Sequence, residues 1–335
     1  MNQQRIASTT VATAIVAGAL IVFNCQATRA AGPELKLEAR IPLGAVHGRI
    51  DHFAFDSESG RLFLAELGNN SVSIIDVHKL RFVRRIEGLR EPQGLAFDHA
   101  TGTLFVANAG DGSLRLFKVP DFKSVGTIEL GDDADNIRTD ASSVRMVIGY
   151  GGGGLAVVDG GSGKRIADIP LKAHPEGFQI EPSLKRIFVN VPDAREVAVV
   201  DQVAGKQIDS WALPPGSGAN FPLALDEHEQ RVIVGLRNPP TLLVLNNHDG
   251  TQIAALDMCG DADDVFVDQG RIYVSCGEGF LDIFNSLEGG YVRVQHLSTA
   301  RGARTSLLVP SLGKLFLAVP AQTSGPAEVW VFTVR

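Results

Sequence analysis

A segment of four short apolar runs recurs along this chain, and residues 91–131 contain its clearest copy. The runs at residues 94–97, 103–108, 113–119 and 124–130 are rich in Val, Ile, Leu and Phe. Apolar runs of about five residues bounded by Gly, Asp, Asn and Pro are typical of β-strands. The segment is therefore predicted to be four consecutive strands joined by tight turns.

The residue just before the first strand marks each copy of this segment. It falls at His52, Gly94, Asn136, Gly177, Pro222, Asp264 and Ser306. The spacings between these anchors are 42, 42, 41, 45, 42 and 42 residues. Seven four-stranded units of near-constant length predict an all-β, seven-bladed β-propeller of antiparallel blades. We expect one domain over residues 31–335, with blades starting near residues 47, 91, 132, 173, 217, 259 and 301.

The two ends of the repeat array are complementary. Residues 35–43 resemble a fourth strand that lacks the first three, and the seventh unit stops at Arg335 without a fourth strand. We therefore predict that the N-terminal strand completes the last blade and closes the ring. Closure removes the exposed strand edges that favour aggregation.

Residues 1–30 differ from the repeats. Arg5 precedes an apolar run at residues 6–23, and small residues follow, with an expected cleavage site after Ala30. This pattern predicts a secretory signal peptide and a periplasmic or secreted protein with no membrane span after cleavage. The alternatives are an uncleaved anchor, which the hydroxyl residues of the run disfavour, and a lipid anchor on Cys25, whose preceding residues fit poorly.

The charge of the mature chain argues against a nucleic-acid partner. Removing residues 1–30 takes away two arginines and no acids, which leaves 29 basic against 38 acidic residues. Phosphate contacts need clustered Lys and Arg, and no such cluster stands out. The expected partner is a small molecule or a protein, and the expected state is a monomer.

Two cysteines remain after cleavage, Cys259 and Cys276, and both belong to the sixth unit. Cys259 precedes the first strand of that unit and Cys276 ends the second, so antiparallel pairing places them side by side. In an oxidising compartment this favours a disulfide. Two buried thiols, or a pair slightly too far apart to bond, are the alternatives.

The loops that enter the innermost strands should converge at one mouth of the central channel. The ends of the second strands should face the same mouth. The candidate ligand-binding residues are Asp51, His52, Glu66, Asn108, Asp135, Asn136, His174, Glu176, Asn190, Asp263, Asp264 and Arg304.

These residue types could hold a divalent metal, or a polyol, sugar or peptide through hydrogen bonds. Polar residues also line any wet channel, so a mouth without a ligand is the plain alternative. Ser-His-Asp chemistry lacks its G-x-S-x-G signal. We expect a binding function without an organic cofactor or a catalytic residue. A bound divalent metal is compatible with this expectation.

Residues 62–76 and 104–117 resemble the YVTN repeat, in which a strand ending in Asn is followed by a Gly/Asn/Asp turn and a Val-rich strand. The chain is thus similar over residues 35–335 to the YVTN-repeat β-propeller family of YncE-like secreted bacterial proteins. The motif's Asn is kept at Asn108 but replaced by Glu66, and by Tyr150 in the third unit. The resemblance implies a binding scaffold.

Two rival functions come from other propellers. A metal-dependent lactonase-like hydrolase is the main alternative, with Glu66, Asn136, Asn190 and Asp263 as residues of the right type. An electron-transfer partner resembling haem d1 or quinoprotein propellers is the other, and no haem-attachment motif supports it.

Overall fold

The computed structural model of the chain describes Met1 and residues 35–140, 144–323 and 325–334. The chain divides into two units, Met1–Ala31 and Gly32–Arg335, and the second contains the whole fold described below. The predicted signal peptide lies outside the described residues, apart from Met1.

The described chain is built almost entirely of strands. In chain order they are β1 (Lys36–Pro42), β2 (Phe53–Asp56), β3 (Arg61–Glu66), β4 (Ser71–Asp76), β5 (Arg81–Glu87), β6 (Pro92–Asp98), β7 (Thr103–Asn108), β8 (Ser113–Lys118), β9 (Lys123–Glu129), β10 (Ile137–Asp140), β11 (Arg145–Tyr150), β12 (Gly154–Asp159), β13 (Lys164–Pro170), β14 (Phe178–Glu181), β15 (Arg186–Val191), β16 (Glu196–Asp201), β17 (Lys206–Ala212), β18 (Gly218–Asp226), β19 (Arg231–Asn238), β20 (Pro240–Asn246), β21 (Gln252–Asp257), β22 (Ala262–Asp268), β23 (Arg271–Cys276), β24 (Phe280–Leu287), β25 (Gly290–Ser298), β26 (Ser306–Val309), β27 (Lys314–Val319) and β28 (Glu328–Thr333). Short 3₁₀ turns lie at Leu67–Asn69, Pro192–Ala194 and Pro310–Leu312.

These strands form seven four-stranded antiparallel sheets, which are the seven blades of a propeller. Blades one to six each contain four consecutive strands, from β2–β5 in blade one to β22–β25 in blade six. The first strand of each blade is innermost, and it contacts the first strand of the next blade around the ring. The predicted fold class and blade number are therefore confirmed.

The ring is closed by the N-terminal strand, as the two incomplete ends predicted. Blade seven has the strand order β1-β28-β27-β26, so the start of the chain supplies its outermost strand. Ile41 and Leu43 are fully buried there. Arg85 Nη2 on β5 of blade one donates to the Leu43 carbonyl at 2.8 Å, which links blade one to this closing segment.

Burial follows the position of a strand within its blade. The second and third strands are buried on both faces, as in β7 and β16, because neighbouring blades pack on either side. Outermost strands such as β9 alternate exposed and half-buried residues. The core consists of apolar clusters between adjacent blades; one joins Phe63 of blade one to Leu104 of blade two.

The turns between strands depend on aspartate side chains at strand ends. Asp76 Oδ1 accepts the backbone N–H groups of His78 and Lys79 at 3.2 and 3.0 Å. Asp201 Oδ1 does the same for the two turn residues Val203 and Ala204, both at 2.8 Å. Aspartate commonly stabilises a turn in this way, and such residues serve the framework.

The predicted disulfide is present. Cys259 and Cys276 are bonded, with their Cα atoms 5.8 Å apart, and both are buried. Cys276 ends β23 opposite Ala262 on β22, so the antiparallel register places it beside the segment that carries Cys259.

Within the described residues, no helix has the length and apolar character needed to cross a membrane.

Candidate functional site

The loops that enter the innermost strands of blades one, three, four, five and six converge on one polar cavity of about 40 Å³. A larger cavity of about 260 Å³ continues it along the channel. The two share five lining residues: His52, Arg138, Gln179, Asp264 and Phe266. The predicted convergence of entering loops at a channel mouth is thus what the structure shows.

Three of the predicted residues form a compact group between blades three and four. One ligand atom each from Asp135, His174 and Glu176 lies within 4.8 Å of the other two. His174 Nε2 is 3.9 Å from Asp135 Oδ2, and its Nδ1 is 2.6 Å from the Gly151 carbonyl oxygen. Asp135 and Glu176 come from equivalent loops, one residue before the anchor of each blade.

A glycine in blade two allows Asp135 to take this place. A Cβ atom on Gly94, the anchor of blade two, would lie 2.0 Å from the Asp135 carbonyl oxygen. Real Cβ atoms do not approach so closely, so a side chain at Gly94 would push the Asp135 loop out of the mouth.

The pKa values of this group reflect burial and crowding. Burial raises the pKa of Glu176 to about 8, and the nearby Asp135 charge adds to the rise. For His174, burial lowers the pKa, but hydrogen bonds to Asp135 and to the Gly151 carbonyl outweigh it and raise the pKa to about 9. With no other cation bound, the group holds protons at neutral pH.

His52 lies between two carboxylates on the other side of the mouth. Its Nε2 is 3.5 Å from Asp51 Oδ1, and its Nδ1 is 3.8 Å from Asp264 Oδ1. Burial lowers the His52 pKa, yet these two charges raise it above its usual value. Asp264 accepts the Ser306 N–H at 2.7 Å, while burial raises its own pKa to about 7. Arg49 pairs with the fully buried Asp51 at 2.8 Å.

A third group, at blades five to seven, is neutralised by arginines. Asp263 is paired with Arg237, and Arg304 Nε lies 3.2 Å from Asp263 Oδ2. Arg304 Nη1 is also 2.9 Å from Asp261 Oδ1. Burial raises the Asp263 pKa, but the two arginines outweigh it and the pKa falls below its usual value. The Arg237 guanidinium lies 3.7 Å from the centre of the Phe221 ring.

Two acceptors in the cavity have no hydrogen-bond partner, and one arginine has no carboxylate partner. Asp135 Oδ1 and Asn136 Oδ1 are buried and accept no hydrogen bond from the described residues. Arg138 donates to the neighbouring Ile137 carbonyl at 2.8 Å, and it forms no ion pair with any carboxylate that the structure describes. Buried polar groups are normally paired, so these three indicate a place where a ligand or ordered water binds.

Six of the predicted residues do not line the cavities: Asp51, His174 and Arg304 contact residues that do, whereas the three at the ends of second strands belong to the blades. Glu66 turns outward along blade one, where Arg85 Nε donates to it at 2.7 Å and the hydroxyls of Ser71 and Ser73 also donate. Asn108 Nδ2 donates to the Val106 carbonyl at 3.1 Å.

Asn190 behaves in the same way. Its Nδ2 donates to the carbonyls of Phe221 and Pro222, both at 3.0 Å, and its Oδ1 accepts from Asn220 at 3.0 Å. These strand ends are buried inside or between blades, and their polar groups are used to hold the framework.

Some residues of the mouth were not predicted: Arg138, Gln179 and Phe266 line the cavities, and Arg237 pairs with Asp263 beside them. Arg138, Gln179 and Phe266 each lie two residues after an anchor, so the alternation of side chains along the innermost strand would have located them. Arg237 lies beyond the usual length of a second strand, because the β19–β20 hairpin of blade five is longer than its counterparts. The blade-five anchor lies an ordinary 42 residues before the next one, so the repeat spacing did not signal it.

Comparison with known proteins supports the fold alone. No protein-family model matches the chain, and no curated protein sequence does. A solved structure of hydrazine synthase from Kuenenia stuttgartiensis is similar, with a TM-score of 0.73 at 15% sequence identity, covering 86% of this chain and 97% of that chain. At this identity the likeness concerns the architecture and not the site.

Proposed function

We propose that the chain is a periplasmic or secreted YVTN-type β-propeller that binds a small polar ligand, or a segment of a partner protein, at the mouth of its channel. The disulfide in blade six supports an oxidising compartment. The repeat pattern at residues 62–76 and 104–117 supports the YVTN type.

The unpaired polar groups of the mouth are the observation that carries the proposal. Asn136 Oδ1 and Asp135 Oδ1 offer acceptors, and Arg138 offers a cation that no carboxylate neutralises at ion-pair distance within the described residues. A ligand with both donor groups and an anionic or carbonyl group would satisfy all three. Pockets of this kind commonly fix a ligand with a few convergent polar groups.

A thermal-shift screen tests this function. The purified chain, kept in EDTA, is melted with millimolar amino acids, aldoses, hydroxycarboxylates and polyamines. We expect at least one of these classes to raise the melting temperature, since a ligand that binds only the folded state stabilises it. The rise should disappear in Asn136→Ala and Arg138→Met.

Arg81→Met is the matched control, because Arg81 is an exposed arginine on the outermost strand of blade one. It should keep the full rise. A screen without any shift, or a shift that survives both mouth substitutions, contradicts a ligand site at this mouth.

A metal-dependent lactonase-like hydrolase is the second candidate, favoured by the proximity of Asp135, His174 and Glu176. Two of the four residues of suitable type for it, Glu66 and Asn190, form hydrogen bonds within the framework instead. Lactone hydrolysis that requires a divalent metal and is lost in His174→Gln would support it.

A further inference from the structure

The strongest unexplained feature of the mouth is the set of donors formed by Asp135, His174 and Glu176. They supply two carboxylate oxygens and one imidazole nitrogen, all within 4.8 Å of one another. Donor atoms on one tetrahedral ion lie roughly 3.4 Å apart, given bonds of about 2.0–2.2 Å. Small side-chain adjustments would therefore bring all three to bonding distance.

The orientation of His174 suits a metal ligand. Its Nδ1 lies 2.6 Å from the Gly151 carbonyl oxygen, so Nδ1 carries a proton and donates it. Nε2 is then the nitrogen that faces Asp135. Metal-binding histidines usually donate their other ring N–H to a carbonyl or carboxylate, which fixes the tautomer and the ring plane.

Asp135 supplies an independent observation. The residue is only 5% exposed, it lines the cavity, and its Oδ1 has no hydrogen-bond partner among the described residues. The neighbouring Asn136 Oδ1 is a second unpaired acceptor in the same cavity. A buried carboxylate oxygen without a donor is costly unless a cation or a donor reaches it.

The arginines of the mouth form ion pairs with other carboxylates and not with Asp135 or Glu176. Arg49 pairs with Asp51, and Arg237 and Arg304 pair with Asp263. Asp135 and Glu176 have no Lys or Arg at ion-pair distance among the residues that the structure describes. The mouth thus has one acidic group that its own arginines leave open.

We propose that Asp135, His174 and Glu176 bind one divalent metal ion of the zinc or manganese class at the channel mouth. The mixture of one imidazole and two carboxylates favours these ions over Mg²⁺ and Ca²⁺, which prefer oxygen donors alone. Three protein donors leave coordination positions free, where the metal would contact a ligand that Asn136 and Arg138 bind even without it. The inference thus builds on the proposed binding function.

Calorimetric titration of the metal-free chain tests the proposal. The full chain, without an affinity tag, is stripped with EDTA, exchanged into a non-chelating buffer and titrated separately with ZnCl2, MnCl2 and MgCl2. We expect one Zn²⁺ or Mn²⁺ per chain and markedly weaker Mg²⁺ binding. Asp135→Asn, His174→Gln and Glu176→Gln should each weaken binding by more than about tenfold.

Glu91→Gln is the matched control. It removes one acidic residue from an exposed position in the equivalent loop of blade two, and it should bind metal as the unaltered chain does. Melting curves in EDTA identify any variant that fails to fold. His174 is partly exposed, so its replacement tests the site even if Asp135→Asn does not fold.

Two results would overturn the inference. One is the absence of stoichiometric Zn²⁺ or Mn²⁺ uptake, which would mean that protons alone occupy the group. The other is uptake that survives His174→Gln and Glu176→Gln together. Because the ligand screen is run in EDTA, it tests the proposed ligand site independently of either result.

Discussion

Glu66 and Glu176 are the same residue type at the same end of their blades, yet their surroundings are opposite. Glu66 ends a second strand, and it accepts hydrogen bonds from Arg85 and two serines. Glu176 lies in a loop that enters an innermost strand, it lines the cavity, and it has no arginine or lysine partner among the described residues. The position within the blade, and not the residue type, decides whether a polar group is available to a ligand.

The difference extends to the other candidates. Asn108 and Asn190, like Glu66, form hydrogen bonds within the framework, because buried polar groups at strand ends packed between blades need partners there. Asp135 and Asn136 are available in the same way as Glu176, because the entering loops of blades one, three, four, five and six leave a polar cavity between them. We therefore separate a framework, which carries stability, from a mouth, which carries binding.

Deleting residues 35–44 should have the largest effect, because it removes the outermost strand of blade seven. Leu35, Ile41 and Leu43 are buried, and each contributes about 1.5–3 kcal/mol. The loss also exposes an edge of β28. The combined loss in the free energy of unfolding should be a large part of the stability of a typical domain, which is about 5–15 kcal/mol.

Urea unfolding and the soluble yield after expression measure this loss. Lys36→Ser, on the exposed face of the same strand, is the control and should behave as the unaltered chain does. A soluble deletion variant with an unchanged melting temperature would show that the closing strand is not part of the framework.

A smaller effect is expected from pH, and it should originate in the mouth. Burial raises the pKa of Asp264 to about 7 from an ordinary 3.8, so the folded chain keeps a proton that the unfolded chain has lost. Stability should therefore fall as pH rises from about 4 through 7. The raised pKa of His52 acts in the same direction. The lowered pKa of Asp263 matters only below about pH 4.

Asp264 should lower the free energy of unfolding by about 1–3 kcal/mol between pH 5 and pH 8 in EDTA. Glu176 and His174, whose pKa values are raised to about 8 and about 9, should add to this drop. Asp264 faces His52, Asp263, Arg138 and the Ser306 N–H. Asp264→Asn should flatten the dependence, whereas Glu66→Gln should lower stability at every pH without flattening it. An unchanged slope in Asp264→Asn would show that Asp264 is not a source of the pH dependence.

The fold was predictable because one repeat length imposes one architecture. Anchors 41 to 45 residues apart, together with the two incomplete ends, indicated seven blades and their closure by residues 35–43. The disulfide followed from the same register, since Cys276 ends a second strand beside the segment that carries Cys259.

The mouth was predictable only in part. The entering loops were placed well, because strand starts converge at one end of the channel. The direction of the side chains at the second-strand ends was not predicted. Glu66 points outward because it pairs with Arg85, which lies nineteen positions away in sequence. Arg237 depends on a hairpin of unusual length, and repeat spacing alone does not say where such a hairpin reaches.

The most direct test of the distinction is to compare Glu66→Gln with Glu176→Gln by urea unfolding at pH 7 in EDTA. Glu66→Gln leaves the half-buried Arg85 without its carboxylate and the buried serine hydroxyls without their charged acceptor, and it should cost about 2–4 kcal/mol. Glu176 has a pKa of about 8, so at pH 7 the folded chain holds a proton there that the unfolded chain has lost. Gln removes the cost of that proton uptake and should raise stability by about 1–3 kcal/mol. Equal losses in the two variants would contradict the separation of framework from mouth.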